Sequence, residues 1–144
     1  MFSSIVVGTD GSETADIAVT RALGIARLTG ARLHVVSAYA PAPTRVTGDA
    51  PAKEAAEWSV GPDFEVQAVL DRAGSRARSE DLEIKAHALK GDPADAILAV
   101  GKEVDADLIV LGSRGMQGAR RVLGSVPNKV SHRAPCDVLI VQTT

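Results

Sequence analysis

Two glycine-bearing stretches hold residues whose types and spacing suit ligand chemistry. The first, Gly8-Thr9-Asp10-Gly11-Ser12, follows the apolar run Ile5-Val6-Val7 directly. The second, Gly112-Ser113-Arg114-Gly115-Met116-Gln117-Gly118, follows Leu108-Ile109-Val110-Leu111, with Gly124, Ser125 and Val126 a few residues further on. Without a Cβ, glycine lets main-chain amides approach a ligand closely. A helix opening at Gly124-Ser125 would aim free N–H groups and a positive dipole end at an anion. From Leu108 to Cys136 the chain has five Lys/Arg (114, 120, 121, 129 and 133) and no Asp or Glu, whereas the rest carries eleven basic and eighteen acidic side chains. A positive island on a mildly acidic chain suits local anion binding. The plainer alternative is that the glycines make turns and the arginines form a solvated helix face. Asp10 is open to two uses: acceptor for ribose hydroxyls or ligand of a phosphate-bound Mg²⁺, or cap of the turn and helix that follow. Arg114 could pair with phosphate or be a surface charge.

Several catalytic chemistries lack their residues. A dinucleotide fold of the dehydrogenase type needs G-x-G-x-x-G after its first strand, and Gly8-Thr9-Asp10-Gly11 does not match it. No glycine stretch ends in the G-K-[ST] of a Walker A loop. A phospho-aspartyl reading of Asp10 finds Ser12, not a second carboxylate, two residues on. No serine or cysteine sits in a nucleophile-elbow sequence, and no histidine stands as an obvious base. His34 lies inside an apolar strand and reads as a packed histidine; Cys136, before another, reads as an inert thiol. One cysteine and three scattered histidines give no metal-ligand spacing.

The elements that must position these residues are legible from periodicity. Residues 5–7, 33–36, 108–111 and 138–141 are β-branched and nearly continuous, as strands with both faces buried read in a parallel sheet. Residues 82–88 alternate and predict an edge strand. Helical stripes run over 12–29, 63–79 and 93–104, with a last helix from about Val126 to about Arg133. Ser12 and Asp92-Pro93 mark helix starts, and Ser125-Val126-Pro127 repeats the pattern. The order β-α-β-α-β-α-β-α-β predicts a doubly wound α/β sandwich. Such sheets bind ligands beyond the strand C-termini, where the strand order reverses. Residues 41–62, rich in Pro and Gly and containing Trp58, read as a long, mobile loop, with Lys53 to Trp58 able to form one or two helical turns.

Bulk properties agree. A chain of 144 residues suits one domain, here 1–144, and buries a core without staples. A formal charge of −2 argues against a globally basic nucleic-acid binder. No apolar run approaches the ~20 residues of a membrane span. The N-terminal residues lack a basic signal-peptide region, and a single cysteine fits a reducing, cytoplasmic setting.

Ile5-Val6-Val7-Gly8-Thr9-Asp10-Gly11-Ser12-Glu13-Thr14-Ala15 resembles the opening of the universal stress protein family. Gly112-Ser113-Arg114-Gly115 with Gly124-Ser125-Val126 resembles that family's nucleotide signature, G-x2-G-x9-G-[ST], and Ala134 to Val141 resembles its close. Eight residues separate Gly115 from Gly124 where the signature has nine, which implies a loop one residue tighter, with Gly118 supplying slack. The resemblance implies a Rossmann-like, three-layer α/β fold with a five-stranded parallel sheet, order 3-2-1-4-5. It implies a homodimer through the last strand, Asp137 to Gln142. It also implies a stress-response sensor or regulator without robust catalysis that binds ATP, AMP or cyclic AMP, with Mg²⁺ able to accompany ATP. A nucleotide-free interaction module and a slow ATP hydrolase are the alternatives. By position, Gly8, Thr9 and Asp10 are expected to face the adenosine, Val35 to offer backbone hydrogen bonds to adenine, and Gly112, Ser113, Arg114, Gly115, Gly124, Ser125 and Val126 to surround ribose and phosphates; Leu111 is expected among the nucleotide-binding residues.

Overall fold

Continuous β-branched runs make stable strands only where both sheet faces are covered. The computed structural model describes residues 1–39, 64–113 and 125–143, and in it helices cover both faces. The elements are β1 (Ser4–Gly8), α1 (Glu13–Thr29), β2 (Arg32–Tyr39), α2 (Phe64–Ser79), β3 (Ile84–Lys90), α3 (Pro93–Glu103), β4 (Leu108–Gly112), α4 (Ser125–Arg133) and β5 (Asp137–Val141). The expectations for 41–62, Lys53 to Trp58 and Trp58 lie outside the described residues.

All pairings are parallel and the order is β3-β2-β1-β4-β5. β1 is central, with Val7 opposite Val35 on one side and Val110 on the other. Alternation along the strands sends successive side chains to opposite layers. Ile5, Val7, Leu33 and Val35 pack with α1 and α2 residues such as Leu23 and Leu70; Val6, Val36 and Ile109 pack with Ile97, Val100 and Val130 of α3 and α4. The edge strand predicted at 82–88 is present two residues later, as β3 at Ile84–Lys90, with no residue fully buried, as its mixed pattern requires.

Local signals fix the helix ends. The Ser12 hydroxyl accepts the Ala15 N–H at 3.1 Å, and the Asp92 carboxylate accepts that of Asp95 at 3.1 Å, with Pro93 opening α3. α4 starts at Ser125, so Pro127 falls within its first turn rather than at its first position. Cys136 packs beside the α3–α4 layer, and burial, then Asp137 and Asp107, push its thiol up, which suits an unreactive side chain. Among the described residues no helix is long and apolar enough to cross a membrane.

The chain leaves β1 towards β2 and β3, then returns to place β4 on β1's other side. Strand order therefore reverses between β1 and β4, and a cleft opens beyond their C-termini.

Candidate functional site

The turn after β1 is tied down by its own side chains. Thr9 N–H donates to the Val36 carbonyl at 2.9 Å, the last such bond between β1 and β2. Thr9 Oγ1 then accepts the Gly11 N–H at 3.1 Å, and Asp10 Oδ1 accepts the Ser12 N–H at 3.0 Å. Gly11 has φ +83°, a left-handed conformation that L side chains rarely adopt. Arg72 of α2 donates to the Gly11 carbonyl at 3.0 Å from behind. At Gly8 a Cβ would meet Ile97 Cδ1 at 2.5 Å, so glycine lets α3 close over the end of β1.

A cavity of about 530 Å³ opens at this point, within the usual range for small-molecule sites. Gly8, Thr9 and Asp10 form its floor with Leu111 and Gly112 of β4. Thr14 and Ala15 come from the start of α1, and Val36 and Ala38 from β2. Pro93 and Ile97 wall it from α3; Ser125, Val126 and Pro127 wall it from α4.

Three helices thus direct N-termini at one hollow, a consequence of parallel β-α units, and each contributes positive potential. Their first turns differ. α1 carries Glu13 and Asp16 and α3 carries Asp95, whereas α4 has no acidic residue there. Proline at the start of α3 also removes one N–H. The cavity is therefore polarised. The side of Val36, Ala38, Pro93 and Ile97 is apolar and suits a flat, weakly polar group; the start of α4 suits an anion.

Seven sequence-expected residues meet at this cavity: Gly8, Thr9, Asp10, Leu111, Gly112, Ser125 and Val126. Asp10 shapes the turn and also faces the cavity, so capping and ligand contact are compatible uses. Two expected residues stand apart from the wall. Ser113 is 1% exposed; its Oγ accepts the Thr143 N–H at 3.1 Å and its N–H donates to the Val141 carbonyl at 2.9 Å, so it anchors the chain after β5. Val35 is fully buried on the α1–α2 side. Within a strand, a residue's N–H and C=O share one side and successive residues alternate. The Val36 carbonyl faces β1 and the Tyr39 carbonyl bonds Gly91 after β3. Hence Val35's peptide groups face β3, while those of Ala38 face β1's side beyond its last bond. Arg114, Gly115 and Gly124 lie outside the described residues.

Thr14, Ala15, Val36, Ala38, Pro93, Ile97 and Pro127 line the cavity without having been expected there from sequence. Pro93 had a signal: the Asp92-Pro93 start follows β3's C-terminus, where strand-end logic places a ligand. The positive island also needs revision in part. Lys129 Nζ lies 3.2 Å from Asp92 Oδ2 and 3.5 Å from Asp95 Oδ1, and Arg133 Nη1 lies 2.9 Å from Asp95 Oδ1. The Asp95 N–H and then Lys129 hold the Asp92 carboxyl below its ordinary value, and Asp92 raises the Lys129 ammonium. These two cations are committed to α3. Among the described residues no three His, Cys, Asp or Glu side chains are grouped to hold a metal ion.

Comparison with known proteins shows the family and the fold. The universal stress protein family model matches residues 1–142. Universal stress protein Rv1636 of Mycobacterium tuberculosis is 37% identical, covering 99% of this chain and 98% of its own. The crystal structure of a universal stress protein in complex with cAMP is 36% identical, superposes with a TM-score of 0.75, and covers 99% of this chain and 98% of its own. The Archaeoglobus fulgidus universal stress protein in complex with dAMP is 29% identical, with a TM-score of 0.70 and 96% of each chain covered.

Proposed function

As the chain belongs to the universal stress protein family, we propose that it binds an adenine nucleotide in the β1–β4 cavity and acts as a stress-response sensor or regulator without robust catalysis. The observation that carries this reading is the cavity's polarity: an apolar side at Val36, Ala38, Pro93 and Ile97 opposite a helix start with no acid in its first turn. The complexes of two similar proteins with cAMP and dAMP support it.

The proposed orientation follows from that polarity. Adenine lies on the apolar side, with Ala38 presenting the β2 peptide groups that the resemblance assigned to Val35. Gly8, Thr9 and Asp10 face the adenosine, and Asp10 accepts from ribose. Leu111, Gly112, Ser125 and Val126, joined by Arg114, Gly115 and Gly124, surround the phosphates; Ser113 supports this wall from behind. ATP, AMP and cyclic AMP are the proposed ligands, and Mg²⁺ accompanies ATP. The single-domain protein acts in the cytoplasm as a homodimer through β5, whose outer edge would otherwise stay unpaired.

Mass spectrometry of small molecules released by denaturing the purified protein tests the reading. An adenine nucleotide at a molar ratio near one per chain is expected, falling sharply in Gly115→Val. Non-adenine ligands alone would contradict it.

A further inference from the structure

Lys129 and Arg133 reach from α4 to Asp92 and Asp95, forming three contacts at 3.2, 3.5 and 2.9 Å. All four side chains are well exposed, and exposed ion pairs add little stability. Their location matters more. Asp92 caps α3 directly before Pro93, a cavity residue, and Asp95 lies in α3's first turn. Neither carboxylate lines the hollow, but both stand on the N-terminal turn of α3 beside Pro93, which does, so their charge is felt through space at the α4 start proposed for phosphates. Left alone, they would repel an anion there; paired, their field is largely cancelled.

We propose that Lys129 and Arg133 are specificity-determining residues that bind no phosphate but neutralise Asp92 and Asp95, setting how much negative charge the ligand can carry. This rests on the nucleotide reading above and adds a graded signature. Coulomb energy scales with ligand charge, so loss of the two cations penalises ATP most, AMP less and adenosine hardly at all. A clasp that merely held α4 in place would weaken all three alike.

The test is calorimetric titration of ATP, AMP and adenosine, without Mg²⁺, into the wild type and Lys129→Met/Arg133→Met, where methionine keeps most of the aliphatic stem. At low ionic strength the variant loses affinity for ATP about three- to tenfold and for adenosine less than about twofold; about 0.5 M salt shrinks the gap by screening. Asp95→Asn, a milder change, shifts the ratio oppositely by leaving Arg133 uncompensated, and raises ATP affinity relative to adenosine. Equal losses for all three ligands, or no shift in the ATP-to-adenosine ratio in either variant, overturn the inference while wild-type binding upholds the site. Wild-type protein that binds none of the three overturns the nucleotide reading and this inference with it.

Discussion

His34 Nδ1 and His87 Nε2 lie 3.0 Å apart, joining β2 to β3 by a side-chain hydrogen bond beneath α3. His34 is 4% exposed, so the partner that makes its burial affordable is another imidazole rather than a catalytic acid. Burial first lowers both rings from the ordinary 6.5; for His34 the neighbouring His87, Arg32 and Lys85 act the same way, and Glu103 opposes. The neutral pair is the form the fold holds.

A pH dependence follows with a definite sign. Well above 6.5 both histidines are neutral folded and unfolded, and the pair adds no slope. As pH falls below 6.5 the unfolded chain takes up protons first, so stability declines until the lowered folded values are passed. Urea unfolding from pH 7.5 to 5.0 should show this decline, and it should flatten in His34→Asn/His87→Asn. Equal slopes in the two proteins would contradict it.

Gly11 and Gly30 both have left-handed backbone, φ +83° and +74°, but a Cβ at Gly11 meets Val69 Cγ2 at 2.5 Å whereas one at Gly30 meets nothing within 4 Å. Gly30→Ala should therefore cost about 1–2 kcal/mol from backbone strain alone, and Gly11→Ala measurably more. Gly11→Ala should also weaken nucleotide binding, since the turn it strains carries Asp10. Equal losses in denaturant unfolding would show that Val69 yields freely.

Ser113→Ala separates anchoring from ligand contact. It leaves the buried Thr143 N–H without its 3.1 Å acceptor, a loss of about 1–3 kcal/mol. Thermal or chemical unfolding should register that cost, with nucleotide affinity falling less than stability predicts for a direct ligand. A large loss of affinity at unchanged stability would place the hydroxyl on the nucleotide instead.

The outer edge of β5 gives a prediction about assembly. The Val141 carbonyl bonds Ser113, so by alternation the peptide groups of Leu139 also face β4 and those of Ile140 face outward. Proline is tolerated where the missing N–H faces away from the sheet. Ile140→Pro should give a folded monomer by sedimentation equilibrium, and Leu139→Pro should disrupt the β4–β5 ladder and the fold. A dimer that survives Ile140→Pro would place the interface elsewhere.

Much of this architecture was legible before any coordinates. Ile5-Val6-Val7 and Leu108 to Leu111 announce buried strands because nothing polar interrupts them, and Asp92-Pro93 announces a helix start because capping is local chemistry. The family motif supplied the strand order, which periodicity alone does not carry. What stayed hidden depends on tertiary geometry. That the peptide groups of Ala38, and not those of Val35, turn towards β1's side depends on where β1 stops against β2. The turning of Ser113 towards Thr143 depends on the path of the chain after β5. The pairing of Lys129 and Arg133 with Asp92 and Asp95 depends on how α3 and α4 pack, so their charges read as free from sequence.

The β1–β4 cavity as an adenine-nucleotide site is tested most directly by titrating ATP, AMP and cyclic AMP into nucleotide-free wild-type protein and into Ala38→Leu. Ala38 lines the apolar side, and leucine there fills the space proposed for the base without touching the phosphate end. Saturable binding of at least one nucleotide near one per chain, abolished in a folded Ala38→Leu protein, is the expected result. Binding that Ala38→Leu leaves intact, or no heat with any of the three, would contradict it.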